Sequence, residues 1–198
     1  MSRIILASKS PRRSQLLREL GIGDFQIIPS LSEEEPDLSL EPGEAVKHIS
    51  MAKAREVYSR ISDPEALVIA ADTLVYLDGR PLGKPADEAE ARDMLRALSG
   101  REHLVVTGIA LITGKRAIGD SEATFVRFRP MTEAEIAWYV STGEPMDKAG
   151  AYGAQGKGAV FIEGIRGDFF NVMGLPLCRL AKDLEGLGIP LVSLVSEG

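Results

Sequence analysis

The stretch 66–77 constrains this chain most. Ala66-Leu67-Val68-Ile69-Ala70-Ala71 is the longest uninterrupted apolar run, Asp72-Thr73 breaks it, and Leu74-Val75-Tyr76-Leu77 resumes it. Such a run falls far short of the ~20 residues that cross a bilayer, so it has to be buried within a globular protein. Its β-branched and apolar content reads as an inner strand over about 67–77. A carboxylate inside such a strand is expensive unless it meets a cation or a metal. Asp72 could equally end the strand and cap a turn, but the cost of burial favours a functional charge.

The flanking sequence supplies the layers that would cover a sheet. Ile4-Ile5-Leu6-Ala7 reads as a short buried strand. Ser10-Pro11 then opens a helix that Gly21 closes, with serine at the N-cap and proline at the first helical position. A second strand is expected over 25–28. From about 42 to 61, Ala45, Ile49 and Ala52 recur on the apolar side of a helix that continues through Glu56 and Arg60. Asp78-Gly79 signals a hairpin turn. A helix follows over 87–98 with Gly100 after it, then strands over 104–112 and 122–128 joined around Gly114-Lys115. The pattern ends with a short helix over about 132–140, carrying a capping box in Thr132-Glu133-Ala134-Glu135, a strand over 160–165 and a helix over 175–187. Strands alternating irregularly with helices predict an α/β (mixed α+β) fold, a central mixed sheet flanked by helices. With 198 residues, 44% hydrophobic and 26% charged, one globular domain over 1–198 is expected, needing no disulfide or structural metal.

Composition also removes classes of function. Lys and Arg number 23 against 29 Asp and Glu, a formal charge of −6, opposite in sign to a domain that coats nucleic acid. An anionic ligand would need a local cluster of Lys, Arg, helix N-termini or metal. Cys178 is alone, no leader pattern precedes Ser8-Lys9-Ser10, and no apolar run spans a bilayer, so a cytoplasmic protein without a membrane partner is expected. His48 and His103 are too few and too far apart for zinc, and there is no nucleophile elbow.

Four further segments carry candidate chemistry. Ala7-Ser8-Lys9-Ser10-Pro11-Arg12-Arg13 gathers small hydroxyl residues, helix N-terminal N–H groups and two guanidiniums, which suits phosphate oxygens. A capped surface helix with solvated arginines is the alternative. Gly83-Lys84-Pro85 follows the 78–79 turn, which folds Lys84 back toward Asp72. Proline after the lysine, and Asp78 in place of a glycine, exclude a P-loop. The loop 143–156 has glycines at 150, 153 and 156 without the dinucleotide fingerprint, and its length favours a functional or mobile segment. Glu33-Glu34-Glu35 is solvated charge unless it faces a cation.

Together these segments resemble the Maf (septum formation) family of nucleoside triphosphate pyrophosphatases. The resemblance rests on Leu6-Ala7-Ser8-Lys9-Ser10-Pro11-Arg12-Arg13, Ala71-Asp72-Thr73, Gly83-Lys84-Pro85, Glu144-Pro145-Met146-Asp147-Lys148-Ala149-Gly150-Ala151-Tyr152 and Gly174-Leu175-Pro176, and so covers nearly the whole chain. It implies an inosine-triphosphatase-like fold, two lobes with a cleft. Arg12, Thr73 and Gln155 are similar to the branch acting on dTTP and UTP rather than the branch preferring 7-methyl-GTP.

The family's reaction is hydrolysis between the α- and β-phosphates, giving the monophosphate and pyrophosphate. By the resemblance, Asp72 matches the family's proton acceptor, and Ser8, Arg12, Arg13, Lys53, Thr73, Lys84 and Gln155 match substrate-binding positions. Arg12, Arg13, Lys53 and Lys84 would invert the local potential together with a divalent cation, Mg²⁺ or Mn²⁺. Glu34 and Asp72 match metal-side carboxylates; Glu33 matches less well and Glu35 has no counterpart. Asp72 stands as metal ligand, as base, or as base acting through metal-bound water. The Gln155 amide suits O4 and N3–H of thymine or uracil, and turned over it suits cytosine. Ala154 departs from the larger aliphatic residue common there. The expected partner is a nucleoside triphosphate, dTTP, UTP or a modified pyrimidine triphosphate, with no nucleic acid, and a homodimer is compatible. The alternatives are the same reaction on non-standard purine triphosphates such as ITP, or a regulatory protein of cell division acting by binding. Retention of Asp72 and the arginine pair favours the enzyme.

Overall fold

The computed structural model describes residues 3–31, 35–114 and 116–195. Among them the strands are β1 (Ile4–Leu6), β2 (Phe25–Ile27), β3 (Leu67–Leu77), β4 (Arg80–Leu82), β5 (Glu102–Thr113), β6 (Arg116–Phe128) and β7 (Ile162–Arg166). The helices are α1 (Pro11–Glu19), α2 (Pro42–Arg60), α3 (Glu88–Leu98), α4 (Glu133–Ser141), α5 (Phe169–Met173) and α6 (Leu177–Gly186). The strand order is β2-β1-β3-β5-β6-β7, with β4 paired to β3. β1 runs parallel to β2 and β3, whereas β4 is antiparallel to β3 and β7 to β6, so the sheet is mixed as expected. No helix among the described residues is long and apolar enough to cross a membrane. The chain divides into two compact units, Met1–Asp72 with Thr107–Glu122 and Gly174–Gly198, and Thr73–Val106 with Ala123–Met173.

In the first unit, Ile5, Ala7, Ala54, Val57, Val68 and Ala70 form a core cluster. The buried positions of α2 are Ala45, Val46, Ile49, Ser50, Ala54 and Val57, while Ala52 is only half-buried. The stripe is thus rotated from the expected Ala45-Ile49-Ala52 register, because α2 lies almost in backbone contact with the sheet. A Cβ at Gly108 would collide with the Val46 carbonyl, and one at Gly119 would stand 2.9 Å from Met51 Cε and 3.3 Å from Lys47 Cγ. β6 starts at Arg116 rather than near 122. Its polar opening hid it from pattern reading, since hairpin pairing satisfies the backbone whatever the side chains are. Those side chains have partners of their own: Arg116 Nη2 donates to the Gly186 carbonyl at 2.7 Å, and Arg179 donates to Asp120 at 2.9 Å and Glu122 at 3.3 Å.

In the second unit, Leu95, Leu98, Phe128, Tyr139, Val140 and Phe161 belong to one buried cluster. Asp78 and Gly79 both have positive φ, 52° and 76°, the two-residue turn that matches strand twist and sets Leu77 opposite Arg80. Asp87 caps α3 by accepting from the Glu90 N–H at 2.8 Å, and the Thr132–Glu135 capping box of α4 is formed in both directions. Instead of an irregular loop, 143–161 contains the 3-10 turns Glu144–Asp147, Ala149–Ala151 and Lys157–Phe161. α5 is too short to show periodicity in sequence. It is fixed by buried Asn171, whose Nδ2 donates to the Val105 carbonyl at 3.0 Å and Thr124 Oγ1 at 2.9 Å. His103 is buried with Nε2 2.7 Å from the Tyr152 hydroxyl, and its ring meets Phe128 edge-on at 5.0 Å.

Gly108→Ala is expected to cost at least ~3 kcal/mol, at the upper end of overpacking, because backbone rather than a flexible side chain blocks the methyl. A urea titration reads this as a lowered midpoint. Burial holds the His103 pKa down at about 4, from an ordinary 6.5. The unfolded chain therefore takes up this proton first, and stability contributed by neutral His103 is complete above pH 6.5 and falls as pH drops toward 4. Urea midpoints between pH 7 and 4 should fall less steeply in His103→Gln than in the unaltered chain.

Candidate active site

β3 runs unbroken through Asp72, so this residue neither ends the strand nor caps a turn. The strand is buried over 67–71 and again over 75–77, and opens only at Asp72, Thr73 and Leu74. Across from this opening, α2 presents Lys53 beside its buried stripe. Lys53 Nζ donates to Asp72 Oδ1, with the two side chains 22% and 18% exposed. The cation that a carboxylate in this strand requires is therefore supplied by the neighbouring helix.

The β1–α1 turn lies in the same unit. Ser8 is buried, and its Oγ accepts from Arg13 Nη1 at 3.0 Å and from the Ser10 N–H at 3.2 Å. Arg13 Nε donates to the Gly174 carbonyl at 2.7 Å, which fixes the guanidinium on two sides. Burial pushes the Arg13 pKa down, the charge of Asp72 opposes that shift, and neighbouring Arg12 reinforces it. Ser10 makes no side-chain cap, so the positive end of α1 adds to the same potential. Arg12, Arg13 and Lys53 thus bring three cations, and Asp72 one carboxylate, to a chain whose formal charge is −6. Positive charge in excess is what a polyphosphate would neutralise.

The second unit holds Thr73, Lys84 and Gln155. Thr73 follows Asp72 at the opening of β3 and is half-buried; Lys84 and Gln155 are exposed. Lys84 sits two residues beyond β4, in a turn whose Gly83 carbonyl accepts from the Gly150 N–H at 3.0 Å. That bond ties two of the sequence motifs together. Glu34 and Glu33 lie outside the described residues. Among those described, no group of three or more His, Cys, Asp or Glu is arranged to hold a metal ion.

A profile described as Maf-like protein matches residues 3–187. The chain belongs to the Maf family. It is 49% identical to a protein of Symbiobacterium thermophilum named dTTP/UTP pyrophosphatase, over 96% of this chain and 97% of that one. A protein of the same name from Methanosarcina mazei is 50% identical over 96% of each chain. Among solved structures, the Ham1 protein of Staphylococcus aureus aligns with 98% of this chain and 94% of its own at 15% identity and a TM-score of 0.43.

Within the Maf motifs, the structure separates residues that touch solvent from residues that hold the frame. Tyr152, which ends the Glu144–Tyr152 motif, is a core anchor bonded to His103. Glu144, which opens that motif, accepts hydrogen bonds from Tyr139, Lys157 and Gly158. Neither its role nor that of Tyr139 was read from sequence. The available signal was the density of glycines after residue 150, which suits a backbone packed closely against a side chain. The Gly174 carbonyl on Arg13 was equally silent, since any residue has a carbonyl.

Lys53→Met should lower stability at neutral pH by about 1–3 kcal/mol, less than for a fully buried pair because both groups retain some water. In the Asp72→Asn background the same substitution should cost much less. Denaturation midpoints of the four proteins in this cycle measure the coupling.

Proposed function

We propose that this Maf-family chain hydrolyses dTTP and UTP to the monophosphate and pyrophosphate. The observation that carries the reading is the nearly full-length likeness, 49% and 50%, to two relatives that bear the name dTTP/UTP pyrophosphatase. The Lys53–Asp72 pair and the arginines of the β1–α1 turn support it, because they give hydrolysis of a polyanion its two requirements, a proton acceptor and fixed positive charge.

In this reading Asp72 takes a proton from a water that attacks the α-phosphorus. The new bond is water oxygen to α-phosphorus, the bond that breaks joins the α-phosphorus to the bridging oxygen, and the electron pair leaves with pyrophosphate. Arrival of the triphosphate draws the Lys53 ammonium from Asp72 toward phosphate oxygens, which releases the carboxylate for the proton. Arg13 is already ordered by Ser8 and Gly174, so it meets the phosphates with little loss of side-chain entropy. Ser8, Arg12 and Lys84 are assigned to phosphate binding, and Thr73 and Gln155 to selection of the nucleotide.

Asp72 fits a divalent cation of the Mg²⁺ or Mn²⁺ type, since a carboxylate is a hard oxygen donor and Mg²⁺ is commonly held by one or two carboxylates plus substrate phosphates. When bound, such a cation neutralises phosphate charge. Glu34 is the second proposed carboxylate. The lone, exposed Cys178 suits a reducing cytoplasm.

A panel of dTTP, UTP, CTP and ITP, with pyrophosphate and orthophosphate measured separately, tests the reading. Pyrophosphate and monophosphate from dTTP and UTP are expected; orthophosphate with a nucleoside diphosphate would refute it, and preference for ITP would move the substrate class to purines. Asp72→Asn should lower turnover at least ~10²-fold, on the scale of general-base catalysis, without unfolding the chain. Arg13→Ala should lower kcat/KM for every triphosphate by a similar factor, whereas Gln155→Ala should act mainly on dTTP and UTP.

A further inference from the structure

Gln155 reads a base only if its amide is held one way round, since the reversed amide offers cytosine what it withholds from uracil. The side chain is exposed and cannot hold itself. The backbone on both sides of it, however, is tied to one hydrogen-bonded pair, the Glu144 carboxylate and the Tyr139 hydroxyl. Glu144 Oε2 accepts from the Lys157 N–H at 3.0 Å, and Oε1 accepts from the Gly158 N–H at 3.1 Å and from the Tyr139 hydroxyl at 2.9 Å. The Tyr139 oxygen in turn accepts from the Gly153 N–H at 3.1 Å. Residue 153 before Gln155 and residues 157 and 158 after it are thereby fixed to the Glu144–Tyr139 pair. Tyr139 is itself fully buried, with its ring 5.3 Å from that of Phe161. Lys148 closes the other side, its Nζ donating to the Glu144 carbonyl at 2.6 Å and to Asp147 Oδ1 at 2.5 Å.

The glycines follow from this clamp. A Cβ at Gly156 would stand 2.9 Å from Glu144 Oε2, and one at Gly158 2.5 Å from the Tyr139 oxygen; Gly156 also has a φ of +93°. Burial pushes the Glu144 pKa up, but the N–H groups of Lys157 and Gly158, the Tyr139 hydroxyl and the Lys148 charge outweigh it and leave the pKa lowered. Glu144 is therefore ionised at neutral pH and is an acceptor at both oxygens, which no amide reproduces.

We propose that Glu144 and Tyr139 are positioning residues for base selection, fixing the 153–158 backbone so that the Gln155 amide presents the orientation that accepts thymine and uracil and rejects cytosine. This rests on the assignment of Gln155 to the base. Loosening the clamp leaves the Lys53–Asp72 chemistry intact and lets the amide sample both orientations.

The test measures kcat and KM for dTTP, UTP, CTP and ITP in the unaltered chain, Tyr139→Phe, Glu144→Gln, Gln155→Ala and the Tyr139→Phe/Gln155→Ala double variant. Thermal melting confirms that each is folded. Tyr139→Phe keeps the buried ring and Glu144→Gln keeps one acceptor oxygen. In both, the dTTP to CTP ratio of kcat/KM should fall roughly fivefold or more, the scale of a lost hydrogen bond, through a higher KM for dTTP with kcat little changed. Adding Tyr139→Phe to Gln155→Ala should lower the ratio no further. Equal slowing of all four substrates in the clamp variants, or an unchanged ratio in both while Gln155→Ala loses it, overturns the inference and leaves the base assignment standing. An unaltered chain without preference for dTTP and UTP, or a ratio indifferent to Gln155→Ala, overturns the base assignment and the inference with it.

Discussion

Lys53 reaches Asp72 because the α2 backbone comes very close to β5 at Gly108. Gly108 faces the Val46 carbonyl and Gly119 faces Met51 and Lys47, so the helix sits at a distance that a methyl group at residue 108 would forbid. At that distance a lysine just beside the buried stripe can bring its ammonium to a carboxylate in the middle of a neighbouring strand. Move the helix outward and Asp72 would be left in a largely apolar strand without its cation, a situation that costs several kcal/mol. The glycines, the rotated apolar face of α2, the opening of β3 at 72–74 and the ion pair are thus parts of one arrangement.

That arrangement explains how an acidic chain can take an acidic ligand. A formal charge of −6 repels a triphosphate at long range, but solvent and salt screen that field over about 8–10 Å. Close to the β1–α1 turn, Arg12, Arg13 and the helix terminus add positive potential, and Lys53 pairs with Asp72. Arg13 is not a solvated surface charge: Ser8 and the Gly174 carbonyl hold it, and its lowered pKa records a guanidinium kept partly from water with another guanidinium beside it. For Arg13, the reading of this segment as a capped helix with solvated arginines is displaced by these hydrogen bonds.

Much of the frame was legible in the sequence because it depends on local rules. Pro11 starts α1 through its fixed φ at the first helical position, Asp87 and the Thr132–Glu135 box start helices by satisfying N–H groups within three residues, and Asp78-Gly79 turns the chain through its own backbone preference. Asp72 stood out because a charge in an apolar run breaks a rule that has few exceptions. What escaped was non-local or backbone-borne. The polar start of β6 is a strand because β5 lies beside it, α5 is held by Asn171 reaching Val105 and Thr124, and the face of α2 was set by two glycines far along the chain. Lys53, the base-reading role of Gln155 and the metal-side reading of Glu34 came only through family resemblance, and that route carries positions without saying which of them touch a ligand and which hold the frame.

Glu144 makes that last distinction physical. Position within a motif treats Glu144, Lys148, Tyr152 and Gln155 alike, yet their surroundings assign them different work. Tyr152 is sealed in the core against His103, Lys148 bonds to the carbonyl of Glu144, and Glu144 spends both oxygens on the loop that carries Gln155. Only Gln155 among these four is left facing solvent. Glu144 holds the backbone after Gln155 through the Lys157 and Gly158 N–H groups, and its partner Tyr139, a member of the core cluster, holds Gly153 before it. The backbone on both sides of one exposed amide is thus tied to the core, which is what the proposed orientation of that amide requires.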